Sequence, residues 1–514
     1  MTATELLPPD EMTLDAAAGA ITARLECRSR RVRRAERTFY DTFDGLLHRA
    51  GLSLIGERDE LWLVQRETGE VQAQLAIADP AGPLFAGDLQ PGALREALEP
   101  VAGVRAITPL VRIRSRERPI DVLGDERKTV VRMSLDESVL VGSARSLAPL
   151  RPRVRLSAIR GYDKALARVC RTLEDELGFK AVDQPLVDEA VRAGGGVPGG
   201  LSAKLDVPLQ LEQRSDSAAG AVLSRLLEVI EANLPGTLAD VDSEFLHDLR
   251  VAVRRSRSVQ RELARVFPPE ALASFRAEFR WLQQITGEAR DLDVYVLEFG
   301  RYRAMVPEEI RGDLEPLLEV LRERRLAARA QMTLQLRSAR AERIRTGWAS
   351  LLSALEGLPQ TDRPGAARPI GSLAGERIRK VYRRMVRMGE AISASSPAAD
   401  YHELRKKGKE LRYLLELFGA PMFPGEVVKP MVRSLKALQD VLGRHQDREI
   451  QVALLHSLCE EVAARQNGTA AVLAMGALVQ RLHEDQLSAR GAFAERFAQF
   501  ASKPQRKLVK TTFA

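Results

Sequence analysis

Cysteine is scarce in this 514-residue chain: Cys27, Cys170 and Cys459 stand far apart and are odd in number. That argues against a disulfide framework and for a reducing compartment. Aromatic residues make up only 5%, and few of them fall among the basic residues, so a surface that stacks on nucleic-acid bases is poorly supplied. No apolar run approaches the ~20 residues needed to span a bilayer. The opening stretch, MTATELLPPDEMTLDAAAGA, has acids where a secretion signal needs basic residues. A cytoplasmic protein without membrane contact is the expectation. GxxxxGK[ST], GxSxG, HExxH and CxxC patterns are also missing. No cofactor, metal site or catalytic residue is therefore assigned.

The chain is 45% apolar and long enough for two to four domains with sizeable cores. Charge is uneven. Residues 1–200 hold 29 Lys and Arg against 30 Asp and Glu, a net of −1. Residues 201–514 hold 49 against 40, a net of +9. A basic excess of this kind bears on partners and not on fold.

The excess accompanies a repeated pattern. His247 is followed by Arg250, Arg254 and Arg257, and His402 by Arg405, Lys409 and Arg412, each at +3, +7 and +10. At about 100° per residue these offsets form one narrow stripe on a helix. A second block repeats as well: Leu282-Gln-Gln-Ile-Thr-Gly287-Glu-Ala-Arg-Asp291 and Leu438-Gln-Asp-Val-Leu-Gly443-Arg-His-Gln-Asp447. The two offsets are 155 and 156 residues, which points to an internal duplication.

The ordinary explanation of such a stripe is a solvated face paired with acids on neighbouring helices. Like charges at i, i+3 and i+4 repel by a few tenths of a kcal/mol per pair, a cost that packing alone has no reason to accept twice. The stripe suits a linear polyanion, gripped by arginine forks and by counterion release. The histidines could donate to phosphate, or serve as buried hydrogen-bonding residues. Asp291 and Asp447 could orient the arginines or act as catalytic carboxylates.

Before residue 193 the pattern is mixed. Leu110–Arg116, Thr129–Ser134, Glu60–Gln65 and the alternation Arg151, Arg153, Arg155 predict antiparallel strands, with a helix over Asp163–Leu177. After residue 203 the reading is helical. Asp242 or Ser243 should cap the first motif helix, which stops at Phe267-Pro268-Pro269. Ser396 and Pro397 should be N-cap and N1 of the second. Gly408 interrupts that helix at about 1 kcal/mol relative to Ala. The expected organisation is multidomain: an N-terminal α+β antiparallel sheet over 18–192, a Gly-rich linker at 193–203, duplicated all-α bundles over 204–502 (halves 204–358 and 370–502), and a basic tail at 503–514.

The motifs around His247 and His402, with the Gly287-Glu-Ala-Arg-Asp-Leu-Asp and Leu438-Gln-Asp-x-Leu-Gly443 blocks, resemble the CHAD family, named for conserved histidines in an α-helical domain. The resemblance spans roughly 210–500. It implies two helical bundles around a basic cleft that binds inorganic polyphosphate, on polyphosphate granules and beside other granule proteins. By motif position, His247, Arg250, Arg254, Arg257, His402, Arg405, Lys409 and Arg412 would line that cleft. Arg255, Lys406, Arg280 and Lys436 are secondary candidates.

The N-terminal part resembles a divergent CYTH domain, a triphosphate-tunnel fold, through Arg37-Thr-Phe-Tyr-Asp-Thr-Phe-Asp-Gly-Leu-Leu-His-Arg49. The family's E-x-E-x-K strand is sought at Ala23-Arg-Leu-Glu26-Cys-Arg, which has one acid. Arg153-Val-Arg155 stands where metal-binding carboxylates belong. A divalent ion then lacks its oxygen cage, so a binding protein is expected and not an enzyme. The alternatives are a metal-dependent triphosphatase using the N-terminal domain, and a nucleic-acid-binding or scaffold protein.

Overall fold

Alternating side chains from Ile107 to Leu123 form the longest strand of an antiparallel sheet in a computed structural model, which describes residues 3–10, 12–77, 82–142, 147–203, 205–393 and 395–513. The chain divides into two units, Met1–Ala203 and Lys204–Ala514.

Among the described residues, the first unit is built on eleven strands. They are β1 (Ala3–Leu7), β2 (Cys27–Ser29), β3 (Arg33–Thr42), β4 (Leu52–Glu57), β5 (Glu60–Gln65), β6 (Val71–Ala76), β7 (Ile107–Leu123), β8 (Thr129–Val141), β9 (Leu147–Pro149), β10 (Arg153–Ala158) and β11 (Lys180–Ala181). Their order is β11-β1-β10-β8-β7-β3-β4-β5-β6, with β2 on β7 and β9 on β8. Helices α1 (Leu14–Arg24), α2 (Leu46–Arg49), α3 (Ala93–Ala102), α4 (Asp163–Arg171) and α5 (Leu186–Ala193) accompany the sheet. This architecture is consistent with a tunnel-like domain.

The sheet reaches further toward the N-terminus than residue 18. Strand β1 pairs with β10, Thr4 opposite Leu156 and Glu5 opposite Arg155. The segment expected to be the first strand, Ala23 to Arg28, is instead the end of α1 and the start of the short β2. Five residues cut off by Pro8-Pro9 are too few to show alternation. The Gly-rich stretch is packed and not loose. Gly199 and Gly200 adopt φ of +80° and +67°, and a Cβ on Gly45 would fall 2.0 Å from the Gly199 carbonyl oxygen. Only glycine permits that approach.

The second unit is helical. Its first half comprises α6 (Ser215–Leu238), α7 (Ser243–Glu262), α8 (Pro269–Ile285), α9 (Gly287–Leu297), α10 (Phe299–Met305), α11 (Glu315–Leu336) and α12 (Ala339–Ala354). The second comprises α13 (Ile370–Glu390), α14 (Ala398–Leu414), α15 (Ala420–Met422), α16 (Gly425–Ala463), α17 (Gly468–Phe500) and α18 (Lys503–Thr512). Neighbour relations recur in the two halves: α7 packs on α6 and α8 as α14 packs on α13 and α16. Helix α12 lies on α6 as α18 lies on α13. The motif helices α7 and α14 touch directly. The halves also share a core, in which Leu292, Phe299 and Leu317 meet Leu458, Met475 and Leu478.

The sequence explains the helix ends. Asp242 caps α7, accepting from the amides of Glu244 at 2.8 Å and Phe245 at 3.1 Å. In α14 the cap shifts by one residue from the expected Ser396 to Pro397, which is extended at φ −66°, ψ 156° and makes no side-chain cap bond. Ser396 turns its hydroxyl back to the Ser393 amide at 2.9 Å. The basic tail is the ordered helix α18, anchored by buried Val509 and Phe513.

Candidate functional site

Leu404 and Leu411 of α14, with Leu415 and Phe418 in the turn of helix that follows it, are fully buried, so one face of α14 is committed to the core and the cationic stripe is turned the other way. Gly408 lies on the packed side. A Cβ there would come within 3.2 Å of the Gln439 side chain and 3.3 Å of Met385. The mid-helix glycine lets α13 and α16 approach closely.

Beside the α14 stripe lies a pocket of about 440 Å³ lined by Arg254, Arg301, Arg405, Lys409, Arg412, Arg444 and Arg448, with the acids Glu298, Asp440 and Asp447. Seven cations thus face three carboxylates. Among the described residues, no carboxylate lies within ion-pair distance of Arg254, Arg301, Lys409 or Arg444. Arg405 donates to Asp447 at 2.9 Å. Arg412 meets Glu416 at 3.1 Å and donates to Gln439 at 3.3 Å. Arg448 is buried and held by Asp485 at 2.6 Å. Burial pulls the Lys409 ammonium down to about 8, and Arg405, Arg254 and Arg412 add to the effect.

The two stripes are used differently. Helix α8 ends at Ile285 and α9 begins at Gly287, whereas the matching α16 runs unbroken. Arg250 fills that break, donating to the Gln283 carbonyl at 3.0 Å and the Thr286 hydroxyl at 2.8 Å. It is buried, and desolvation first, then Arg254, lowers it to about 10. Arg257 donates to the Gln283 side chain, and Arg255 pairs with Glu416 at 2.9 Å. Arg254 alone of the first stripe lines the pocket with the second-stripe cations.

The histidines occupy matching positions with opposite hydrogen bonds. His247 Nδ1 lies 3.0 Å from Arg290. A guanidinium only donates, so this nitrogen accepts. His402 Nδ1 lies 2.8 Å from Gln446 Oε1. Gln446 spends its amide hydrogens on Glu449 at 3.3 Å, so His402 donates. Neither ring lines the pocket. Lys406 is exposed and paired with Glu403, and Arg280 and Lys436 are exposed outside the pocket lining. Asp447 orients Arg405 as the repeat suggests; Asp291 makes no such bridge among the described residues.

Arg301, Arg444 and Arg448 do not belong to the stripes. Comparing the halves flags two of them: 156 residues earlier, Arg444 and Arg448 correspond to Glu288 and Leu292. Arg301 has no comparable signal.

The sheet unit holds a larger cavity, about 560 Å³, whose lining includes Arg33, Arg37, Arg66 and Arg155. These arginines are already taken. Arg33 and Arg37 bind Glu117, and Arg37 also binds Glu57 at 2.8 Å. Arg66 meets Asp188 at 2.7 Å and Arg155 meets Asp136 at 2.6 Å. Arg153 occupies Glu5 at 3.1 Å and Glu189 at 2.7 Å. The helical pocket, with its uncompensated cations, is the stronger candidate for holding an anion despite its smaller volume.

A family model for the CHAD domain matches residues 221–456. That stretch is a CHAD domain. It contains both histidine motifs and all seven cations of the pocket lining. Two uncharacterized proteins from Mycobacterium tuberculosis strains, MT2285 and Rv2226, are each 30% identical to this chain over 234 residues. The match covers 44% of this chain and 42% of each relative's length. Among solved structures, the CHAD domain from the plant Ricinus communis is 24% identical, with a TM-score of 0.48, covering 57% of this chain and 95% of that one. PptA from Streptomyces chartreusis is 17% identical, with a TM-score of 0.43, covering 55% and 99%.

Proposed function

We propose that the CHAD domain binds inorganic polyphosphate in the pocket beside α14, and that this places the protein on polyphosphate granules in the cytoplasm. The observation that carries the reading is the excess of seven cations over three acids, four of the cations lacking an ion pair among the described residues. A cationic enclosure built this way spends electrostatic energy on folding that only an incoming anion repays. Repeated phosphates match repeated donors, and arginine grips them in a forked geometry. CHAD domains in general are linked to polyphosphate binding. The lining has a single aromatic residue, Tyr413, itself buried, which favours phosphate over stacked bases.

The test is titration of the protein and of an Arg254→Gln, Arg405→Gln, Lys409→Gln variant with polyphosphate of defined length. The variant should bind at least ~100-fold more weakly. Its log–log salt slope should fall by about 2, at ~0.7 per lost contact on a flexible chain. A folded variant with parental affinity and slope rules the pocket out.

A further inference from the structure

A second basic surface lies outside the pocket. On α13, Lys380, Arg383, Arg384 and Arg387 are spaced i, i+3, i+4, i+7 and all are exposed. The opposite face, Ile378, Val381, Tyr382 and Met385, is buried. The four cations cover about 10 Å of helix, and none has an ion pair among the described residues. The acids toward the helix ends are engaged elsewhere, Glu376 by Arg368 at 3.2 Å and Glu390 by Arg506 at 2.6 Å.

Helix α18 extends this surface. It runs antiparallel beside α13, since Phe513 reaches Gly375 while Arg506 reaches Glu390. Val509 and Phe513 face inward, leaving Lys503, Lys507 and Lys510 exposed at i, i+4, i+7, also without an ion pair among the described residues. The matching helix of the first half, α6, exposes Glu228 and Glu231 instead. The basic face therefore belongs to the second half alone and is not a by-product of the duplication.

We infer that the α13–α18 face is a second polyphosphate site, which engages a segment of chain separate from the one in the pocket. Seven exposed cations on two adjacent helices complement a linear phosphate polymer. Tyr382 is buried, so no aromatic offers a base a stacking surface there, and Leu508 is the exposed large apolar residue of α18, little to insert into a lipid surface. Two sites on one molecule make the second contact with a long polymer intramolecular, which multiplies affinity for long chains without altering it for short ones. The inference shares its ligand with the pocket reading but none of its residues.

The experiment uses the full chain carrying Lys380→Gln, Arg383→Gln, Arg384→Gln and Arg387→Gln, four exposed positions, with circular dichroism to confirm the fold. Binding of long-chain polyphosphate should weaken at least tenfold, while binding of a short oligophosphate changes less than twofold. Added to the pocket-neutralised triple variant, the same substitutions should remove the long-chain binding that remains at low salt. Parental long-chain affinity in the α13 variant overturns the inference and leaves the pocket reading intact. A pocket-neutralised protein with no low-salt binding of long chains also overturns it. So does displacement of polyphosphate from that protein by duplex DNA, or by vesicles of anionic phospholipid, at equal phosphate concentration.

Discussion

Lys409 shows how one side chain serves two opposed demands. Its ammonium is held down to about 8 against the ordinary 10.5, because it is partly desolvated among arginines. Between those values the unfolded chain binds more protons than the folded one, so folding stability rises with pH across that window. Ligand affinity runs the other way: a polyanion needs the charged amine, so binding should weaken as pH climbs through about 8. Lys409→Arg should flatten the decline, since a guanidinium stays protonated. Titrations at pH 7 and pH 9 check this, and an equal decline in both proteins contradicts it. Arg250 and Arg405 make the complementary point. They occupy one motif position, yet Arg250 satisfies the buried Thr286 hydroxyl and the part-buried Gln283 carbonyl and Arg405 an exposed carboxylate. Arg250→Lys should cost about 1–3 kcal/mol through an unsatisfied buried group. Arg405→Lys should cost under ~1 kcal/mol, as surface pairs do. Denaturant unfolding of the two variants separates them, and equal losses would show that the positions are equivalent.

At the scale of elements, the duplication explains the architecture and its later divergence explains the site. The histidine stripes, the glycine blocks and the two motif helices were legible from spacing alone, because helical period and repeat offset are properties of the sequence. What escaped that reading depends on neighbours. Thr286 replaces the repeat's Leu442, and the helix breaks there, turning Arg250 from a pocket cation into a filler of the gap. Arg301, Arg444 and Arg448 come from outside the stripes and gain meaning only when α10 and α16 bring them to the pocket lined by α14. The short β1 was missed because five residues before two prolines carry no periodic signal. The Gly-rich stretch reads as a linker from composition, but its close approach to Gly45 depends on a partner distant in sequence.

At the scale of the molecule, the two units treat charge in opposite ways. In the sheet unit, the cavity arginines are neutralised by carboxylates, Glu117 alone accepting from Arg33, Arg37 and Arg155. In the helical unit, cations gather without acids to match them, in the pocket and again on α13 and α18. The helical unit is thus where the chain retains unspent attraction for anions. The most direct test is the salt dependence of polyphosphate binding by the intact protein. The account predicts that the log of the binding constant falls with the log of salt concentration at a slope of about −3 or steeper, from the four unpaired pocket cations at ~0.7 each. Binding indifferent to salt, or no binding of polyphosphate at low salt, contradicts it.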